Sequence, residues 1–382
     1  MRKFFCLVTS LIIAATATTQ SRQHISDRAI LPYTTFLNSQ HTSACNYIID
    51  LFEQYDIVIL CERDHREITQ YNLILEVLSH PYFIGNVGQA YFEIGNTSYN
   101  DTINRFLHNN ELSQQTIYRN ILNFHRNIYS PALWEKTNYS YLLEGVYNIN
   151  KNLDVCDRIN IYGLEQGVNW DTATVDLIRQ RNVACSVANR DSVLAANFTT
   201  YYERAGSNKA LIILNYRHAF TIDIAGRHNA GRYIKDQYGD RVANVYINSF
   251  VIGNDNNIYA AQNGLWDAAF TLSGKDNIGF DLQGTPFGLC GFDLIPIETE
   301  YQYSDIFTGM VYYTGFGNMQ IETGRPDFID NDFAIELQRR QILEGQDVLT
   351  VEELKQRYNT TSSTTYQEEF PTVIESINLW LE

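Results

Sequence analysis

Short apolar runs alternate with helical patterns along much of the chain, and this alternation constrains the fold more than any other feature. Four apolar runs predict buried strands, at residues 57–60, 89–94, 159–164 and 210–215. Residues 244–251 alternate apolar and polar side chains like a fifth strand, and residues 310–313 predict another. Strands separated by helices need crossover connections, which produce parallel sheets. The sequence therefore predicts an α/β fold with a mostly parallel central sheet flanked by helices.

Apolar side chains recur at helical spacing between and after these strands. Helices are predicted over residues 44–55, 68–78, 171–205, 351–358 and 372–381. Residues 101–150 are almost entirely helical in pattern, so we expect a helical insertion at about residues 100–150. From about residue 253 onward Gly, Asn, Asp and aromatic residues dominate, which indicates a decorated C-terminal half.

The C-terminal half leaves two interpretations open. Residues 253–330 are a candidate lid or pocket-forming region, and the aromatic segment at residues 266–288 either lines a pocket or packs as a loop. We find no repeat and no linker that would divide the chain. Residues 18–382 are therefore predicted to form a single domain.

The first 17 residues have the three parts of a secretory signal. Met1, Arg2 and Lys3 form a basic start, residues 4–15 are apolar, and the segment ends in Ala15-Thr16-Ala17. No later apolar run is long and uninterrupted enough to cross a bilayer. We therefore expect an exported protein, periplasmic or secreted, with no membrane span after the signal is removed.

The net charge limits which partners the chain can bind, and the cysteine content shows whether disulfides can be the main source of its stability. The net charge is 28 − 44 = −16, and so acidic a chain repels a phosphate backbone. A small-molecule or peptide substrate is the expected partner, and nucleic acid is not. Removal of the signal takes Cys6 and leaves five cysteines, too few in so long a chain for a disulfide framework.

Acidic residues and histidines follow the predicted strands. Glu62 and His65 come after the first strand, Glu93 and Glu165 end the second and third, and His218 follows the fourth. Ligands of open parallel sheets bind beyond the carboxyl ends of the strands. Because those ends meet at one edge of the sheet, we expect these five residues to form one site.

Two chemistries suit such a cluster. A neutral histidine accepts a proton from water, while a neighbouring glutamate fixes its tautomer and stabilises the imidazolium. Alternatively, His65, His218, Glu62 and Glu93 would bind a divalent metal and leave one position open for water. The spacing of these residues leaves both alternatives open.

The same motifs resemble those of a known superfamily. Its members share a strand followed by Gly-Glu-x-x-His, a later strand ending in Glu, and a further strand leading to Gly-x-x-His. The matching segments here are Cys61-Glu62-Arg63-Asp64-His65, Tyr91-Phe92-Glu93-Ile94-Gly95 and Asn215-Tyr216-Arg217-His218. The order and spacing are similar to those of the superfamily of erythromycin esterases, ChaN-like lipoproteins and the Tiki and TraB/GumN proteins. Cys61 replaces the first motif glycine, and the segment that contains Arg217 also lacks its glycine.

The resemblance implies an exported hydrolase of an ester, lactone or amide. It makes His65 the general base or a metal ligand, with Glu62 and Glu93 orienting the base or holding the metal, and His218 completing the cluster. Glu165 is added from its strand-end position alone. The resemblance does not fix a cofactor: a divalent metal is one option, and haem is a less favoured one.

Three alternatives accompany this hypothesis. The first is a non-catalytic protein that binds haem or another small ligand, with Tyr216 or His218 as the axial ligand of a haem. The second is a degenerate member whose cluster survives only as structure. The third makes Cys61 a nucleophile beside His65, although replacement of one small residue by another explains Cys61 more simply.

Overall fold

The computed structural model describes residues 28–128, 136–186, 189–206, 208–255, 257–297 and 300–382, so the predicted signal at residues 1–17 lies outside it. Its strands are β1 (Ile57–Glu62), β2 (Gln89–Phe92), β3 (Asn160–Gly163), β4 (Ala210–Asn215), β5 (Val242–Ile247), β6 (Phe250–Ile252), β7 (Ile258–Ala260), β8 (Asn277–Asp281), β9 (Gly309–Tyr313), β10 (Gln320–Thr323) and β11 (Ser362–Thr365). Seven of them form the central sheet, in the order β3-β2-β4-β1-β5-β9-β8. All neighbours in this sheet are parallel except β8 and β9. The predicted α/β fold with a mostly parallel sheet is confirmed.

Helices cover both faces of the sheet. They are α1 (28–38), α2 (Ala44–Leu51), α3 (Thr69–Ser79), α4 (Pro81–Asn86), α5 (Asn100–Leu107), α6 (Gln114–Arg126), α7 (Lys136–Lys151), α8 (Val175–Ala184), α9 (Arg190–Ala205), α10 (Tyr216–Ala219), α11 (Ala230–Tyr238), α12 (Leu265–Leu272), α13 (Tyr303–Ile306), α14 (Asn331–Glu344), α15 (Val351–Tyr358), α16 (Tyr366–Glu369) and α17 (Pro371–Asn378). The predicted helical insertion consists of α5, α6 and α7. Among the residues that the structure describes, no helix has the length and apolarity needed to cross a membrane.

The centre of the sheet is buried on both sides, which explains why its strands have continuous apolar runs. Ile57 and Ile59 of β1 pack into one core cluster, together with Phe198 of α9. Val58 and Leu60 pack into the cluster on the opposite face, which contains side chains of α2, α3 and α7. Full burial of one such side chain stabilises a fold by about 1.5–3 kcal/mol. The strand that carries Glu62 is therefore firmly fixed.

One predicted strand is wrong in extent. Residues 244–251 do not form a single strand, because the chain leaves the central sheet at Asn248. The Asn248 side chain accepts a hydrogen bond from the Tyr313 amide (2.9 Å) and donates one to the Thr314 carbonyl (3.0 Å). The Ser249 amide donates to the Tyr246 hydroxyl (3.0 Å). These bonds turn the chain, and β6 then pairs with β7 as a separate antiparallel hairpin.

The aromatic segment of the C-terminal half packs in the interior. Trp266, Phe280 and Phe287 all belong to the core cluster that lies on the α9 side of the sheet. The ring centroids of Trp266 and Phe287 are 5.3 Å apart, and those of Phe280 and Phe287 are 5.2 Å apart. Of the two interpretations of residues 266–288, the structure shows the packed one.

Candidate active site

A cavity of about 700 Å³ lies beyond the carboxyl ends of β1, β2, β3 and β4. His65, Glu93, Glu165 and His218 all line it. Glu62 is fully buried, and its carboxylate contacts the His65 ring. The structure thus brings the five predicted site residues together at one edge of the sheet.

Glu62, the last residue of β1, and His65, in the loop that follows, form a hydrogen-bonded pair. The Nδ1 atom of His65 lies 2.9 Å from the Oε2 atom of Glu62. The other Glu62 oxygen accepts a hydrogen bond from the Tyr71 hydroxyl of α3 at 2.7 Å. The Asn138 side chain of α7 donates to the His65 carbonyl at 2.9 Å. The helical insertion therefore helps to position this histidine.

Burial and charge act in opposite directions on this pair. Burial lowers the pKa of His65, but the carboxylates around it, above all Glu62, outweigh burial and raise this pKa to about 9. Burial raises the pKa of Glu62, against the hydrogen bonds from His65 and Tyr71. Both shifts favour retention of a proton by the pair. The neutral, basic form of His65 therefore becomes the main form only as the pH rises through about 9.

Arg190, at the start of α9, joins the other strand-end residues. Its guanidinium donates to Glu93 Oε1 (2.9 Å) and to Glu165 Oε2 (2.7 Å). The second oxygen of Glu93 accepts the Asn215 amide at 2.9 Å, and the second oxygen of Glu165 accepts Arg181 at 2.6 Å. Burial raises the pKa of Glu93, but the positive charges of His218, Arg190 and His65 outweigh it and lower this pKa to about 2. Glu93 is therefore a carboxylate at every pH of practical interest.

Two glycines allow Glu93 and Glu165 to reach the same arginine. Gly95 follows β2 with a φ of +132°, and a side chain there would place its Cβ 2.8 Å from the Cα of Gly163. A Cβ on Gly163 would lie equally close to the Cα of Gly95. Only glycine fits both positions, because the two backbones cross in near contact.

His218 forms a second pair, with Asp191 of α9. Its Nδ1 atom lies 2.6 Å from Asp191 Oδ1, and its Nε2 atom lies 2.9 Å from an Arg190 nitrogen. A guanidinium only donates hydrogen bonds, so this contact requires a lone pair on Nε2 and places the proton on Nδ1. Burial lowers the pKa of His218, whereas Glu93 and Asp191 raise it, and the net shift is upward. Because Arg190 donates to Nε2, the ring is neutral in this arrangement. The raised pKa means that it binds a second proton more readily than an ordinary histidine does.

The sequence analysis missed three residues of this site, namely Arg190, Asp191 and Tyr71. Arg190 and Asp191 begin α9, and Tyr71 lies in the first turn of α3. Arg190 and Asp191 lie in the middle of the helix predicted over residues 171–205, where a charged pair gives no signal of a site. The structure instead begins α9 at Arg190, and this residue meets Glu93 across 97 positions of the chain.

The site does not fit the divalent metal that the resemblance allowed. Arg190 takes the place of a cation between Glu93, Glu165 and His218, and it occupies the Nε2 nitrogen of His218. Glu62 is committed to His65 and Tyr71. Within the described residues, no group of three or more His, Cys, Asp or Glu side chains is arranged to hold a metal ion.

The haem and cysteine alternatives meet similar obstacles. Both ring nitrogens of His218 are engaged, so an axial bond to haem iron would break a contact to Asp191 or Arg190. Tyr216, the other candidate axial ligand, is buried. Cys61 is buried in the core, and burial raises the pKa of its thiol well above the usual range. A protonated thiol inside the core is not a nucleophile for this cavity.

Comparisons with known proteins find likenesses among solved structures, at low sequence identity. No protein-family model matches the sequence, and a search of curated proteins finds no relative. Among solved structures, the chain is similar to a mutant of the erythromycin esterase EreC in its open conformation, with 9% identity and a TM-score of 0.45 over 70% of this chain and 93% of that one. It is also similar to ChaN of Campylobacter jejuni, solved with cofacially bound haem, with 13% identity and a TM-score of 0.35 over 52% and 84% of the two chains.

A succinoglycan biosynthesis protein gives a similar result, with 8% identity and a TM-score of 0.47 over 76% of this chain and 97% of that one. The likeness concerns the arrangement of helices and strands.

Proposed function

We propose that this protein is a hydrolase in which the Glu62–His65 pair activates water to attack an ester, lactone or amide. One observation carries the proposal: a fully buried carboxylate holds Nδ1 of a histidine that lines a large cavity. A carboxylate on one ring nitrogen orients the ring and stabilises the imidazolium that forms when the other nitrogen takes a proton. A general base in a hydrolytic site needs these two properties.

The remaining residues support this chemistry. Tyr71 fixes the second oxygen of Glu62, so the carboxylate cannot rotate away from His65. In the proposed reaction Nε2 of His65 removes a proton from water as the water oxygen attacks the carbonyl carbon. The tetrahedral intermediate then collapses, its C–O or C–N bond breaks, and the leaving alcohol or amine takes the proton from His65. Arg190 adds positive charge to the same cavity, which favours the negative charge that develops on the carbonyl oxygen. The signal-like residues 1–17 support a proposal that the enzyme works outside the cytoplasm.

The test is hydrolysis of a panel of esters, lactones and amides by the purified protein and by His65→Gln. We expect the variant to lose about 10²–10⁴-fold in kcat/KM, the usual contribution of a general base. His41→Gln is the matched control, because His41 is exposed and does not line the cavity. Absence of wild-type turnover across the panel, or full activity of a folded His65→Gln variant, would refute the proposal.

One observation favours a second candidate, a small-ligand binding protein without catalysis. Arg190 satisfies Glu93, Glu165 and His218 at once, which makes this wall of the cavity a rigid polar surface. Such a surface is well suited to orient a bound ligand. This candidate predicts saturable binding by wild type and His65→Gln alike, with turnover by neither.

A further inference from the structure

Arg217 differs from the other arginines of the cavity. Four of the five have a carboxylate partner, in the pairs Arg63–Glu67 (2.8 Å), Arg66–Asp64 (2.7 Å), Arg181–Glu165 (2.6 Å) and Arg190–Glu93 (2.9 Å). Arg217 is exposed at the cavity, and no ion pair within the described part of the chain includes it. Its Nε atom donates to the Tyr216 hydroxyl at 3.3 Å, which uses one of its five N–H donors.

The acidic residues near the cavity do not compensate this charge. Glu62 is committed to His65, and Asp191 is committed to His218. Each carboxylate of the site thus already has a basic partner. Arg217 is therefore the one arginine among the described lining residues that no carboxylate contacts, although the whole chain has a net charge of −16.

In contrast to the charged Arg217, the β6–β7 hairpin contributes apolar side chains to the cavity. Phe250, Ile252 and Ile258 of this hairpin line the cavity, together with Ile94 after β2 and Ile128 after α6. The cavity therefore combines an apolar wall, a histidine–carboxylate pair and one arginine without a carboxylate partner. A ligand that matches all three has an apolar body and an anionic group.

Arg217 is also not required to build its own helix. The Asn215 side chain caps α10, and the buried Tyr216 and Ala219 attach this helix to the core. A residue that faces solvent, has no acidic partner and lines a cavity is free to bind a ligand. A guanidinium binds a carboxylate through two parallel hydrogen bonds, which gives both affinity and orientation.

We propose that Arg217 binds a carboxylate of the substrate, so that the enzyme prefers esters that also carry a free carboxylate and an apolar group. The proposal rests on the proposed hydrolase function, whose substrate class it names. Removal of the Arg217 charge weakens the binding of such substrates, and the loss lies in KM more than in kcat, because Arg217 binds the substrate and takes no part in the cleavage.

Two chromogenic esters of similar size test this preference, 4-nitrophenyl butyrate (neutral) and 4-nitrophenyl hemisuccinate (anionic). We expect wild type to favour the anionic ester, and Arg217→Gln to reduce the ratio of anionic to neutral kcat/KM about tenfold. Arg179→Gln is the matched control, because Arg179 is 71% exposed on α8, away from the cavity. An unchanged ratio in Arg217→Gln would overturn the proposal.

A binding measurement separates failure of this inference from failure of the hydrolase function. Isothermal titration calorimetry with octanoate and 1-octanol needs no turnover. Tighter binding of octanoate that weakens about tenfold in Arg217→Gln supports the inference even if no ester is hydrolysed. Equal binding of the two ligands, or octanoate binding that Arg217→Gln leaves unchanged, contradicts it even if esters are hydrolysed.

Discussion

Two histidine–carboxylate pairs lie at the same edge of the sheet, and they are built in different ways. Glu62 at the end of β1 and His65 in the following loop are three residues apart, and the Glu62 carboxylate is fully buried. Asp191 and His218 are 27 residues apart on α9 and α10, and the Asp191 side chain is 22% exposed. The same chemical unit thus arises once from local spacing and once from the docking of two helices.

The two pairs also differ in their electrostatic surroundings. Carboxylates dominate around His65 and raise its pKa to about 9. Arg190 contacts the ring of His218 directly and opposes the carboxylates there. The pKa of both histidines is raised, but only at His218 does an arginine contact a ring nitrogen and oppose that shift. We therefore assign the base to His65 and a positioning role to the second pair.

We expect the largest loss of stability from Arg190→Gln, which removes the arginine that contacts His218 of the second pair. The substitution leaves Glu93 and Glu165 as poorly paired buried carboxylates, and we expect a loss of about 2–3 kcal/mol in the free energy of unfolding. The pKa of Glu93 rises from about 2, so the carboxylate loses the stability it adds at neutral pH, and the difference from wild type should shrink as the pH falls. Urea titrations between pH 4 and pH 7 measure both effects.

The control for this variant is Arg204→Gln, because Arg204 is 69% exposed and lies 3.9 Å from an equally exposed Asp101. Exposed pairs of this kind contribute about 0–1 kcal/mol. Equal stability of the two variants would show that Arg190 does not hold the site together.

A smaller effect is expected from Asp191→Asn. The amide preserves the shape of the aspartate but removes its charge, so the pKa of His218 falls and the ring that contacts Arg190 is held less firmly. We expect kcat to decrease about tenfold, against about a hundredfold or more for Glu62→Gln. Steady-state kinetics on the best ester of the panel measure both variants. A larger loss in Asp191→Asn than in Glu62→Gln would reverse the roles that we assign to the two pairs.

The smallest effect is expected from metal removal. Because Arg190 fills the place of a cation, dialysis of the enzyme against a chelator should leave kcat/KM unchanged. Elemental analysis of the same sample by mass spectrometry provides the control. Loss of activity that returns on addition of Zn²⁺ or Mn²⁺ would contradict this view of the site.

The features that the sequence predicted are those with a local cause. The apolar residues of β4 gave both of its ends, at Ala210 and Asn215, and α15 was predicted with its observed bounds. Glu62 and His65 were identifiable because they follow a strand at a spacing that local geometry brings together. The strand ends of a parallel sheet then placed Glu93, Glu165 and His218 beside them.

The features that escaped prediction depend on distant contacts. Arg190 and Asp191 acquire their roles only because α9 begins beside β2 and β3, and no local pattern encodes that position. Strand β8 has only two buried apolar side chains, Ile278 and Phe280, and it exists because it pairs with β9. Asn248 ends β5 through bonds to residues about 65 positions away. Such contacts are fixed by packing rather than by periodicity.

The pH dependence of kcat/KM tests most directly whether the Glu62–His65 pair acts as the base. His65 is active when neutral and its pKa is about 9, so the rate of wild type should rise about tenfold per pH unit and level off near pH 9. In Glu62→Gln only the charges of Glu93 and Asp64 still oppose burial, so the inflection should move well below 9, with a lower plateau. A wild-type rate that is already level above pH 7, or an inflection that Glu62→Gln does not move, would contradict the account.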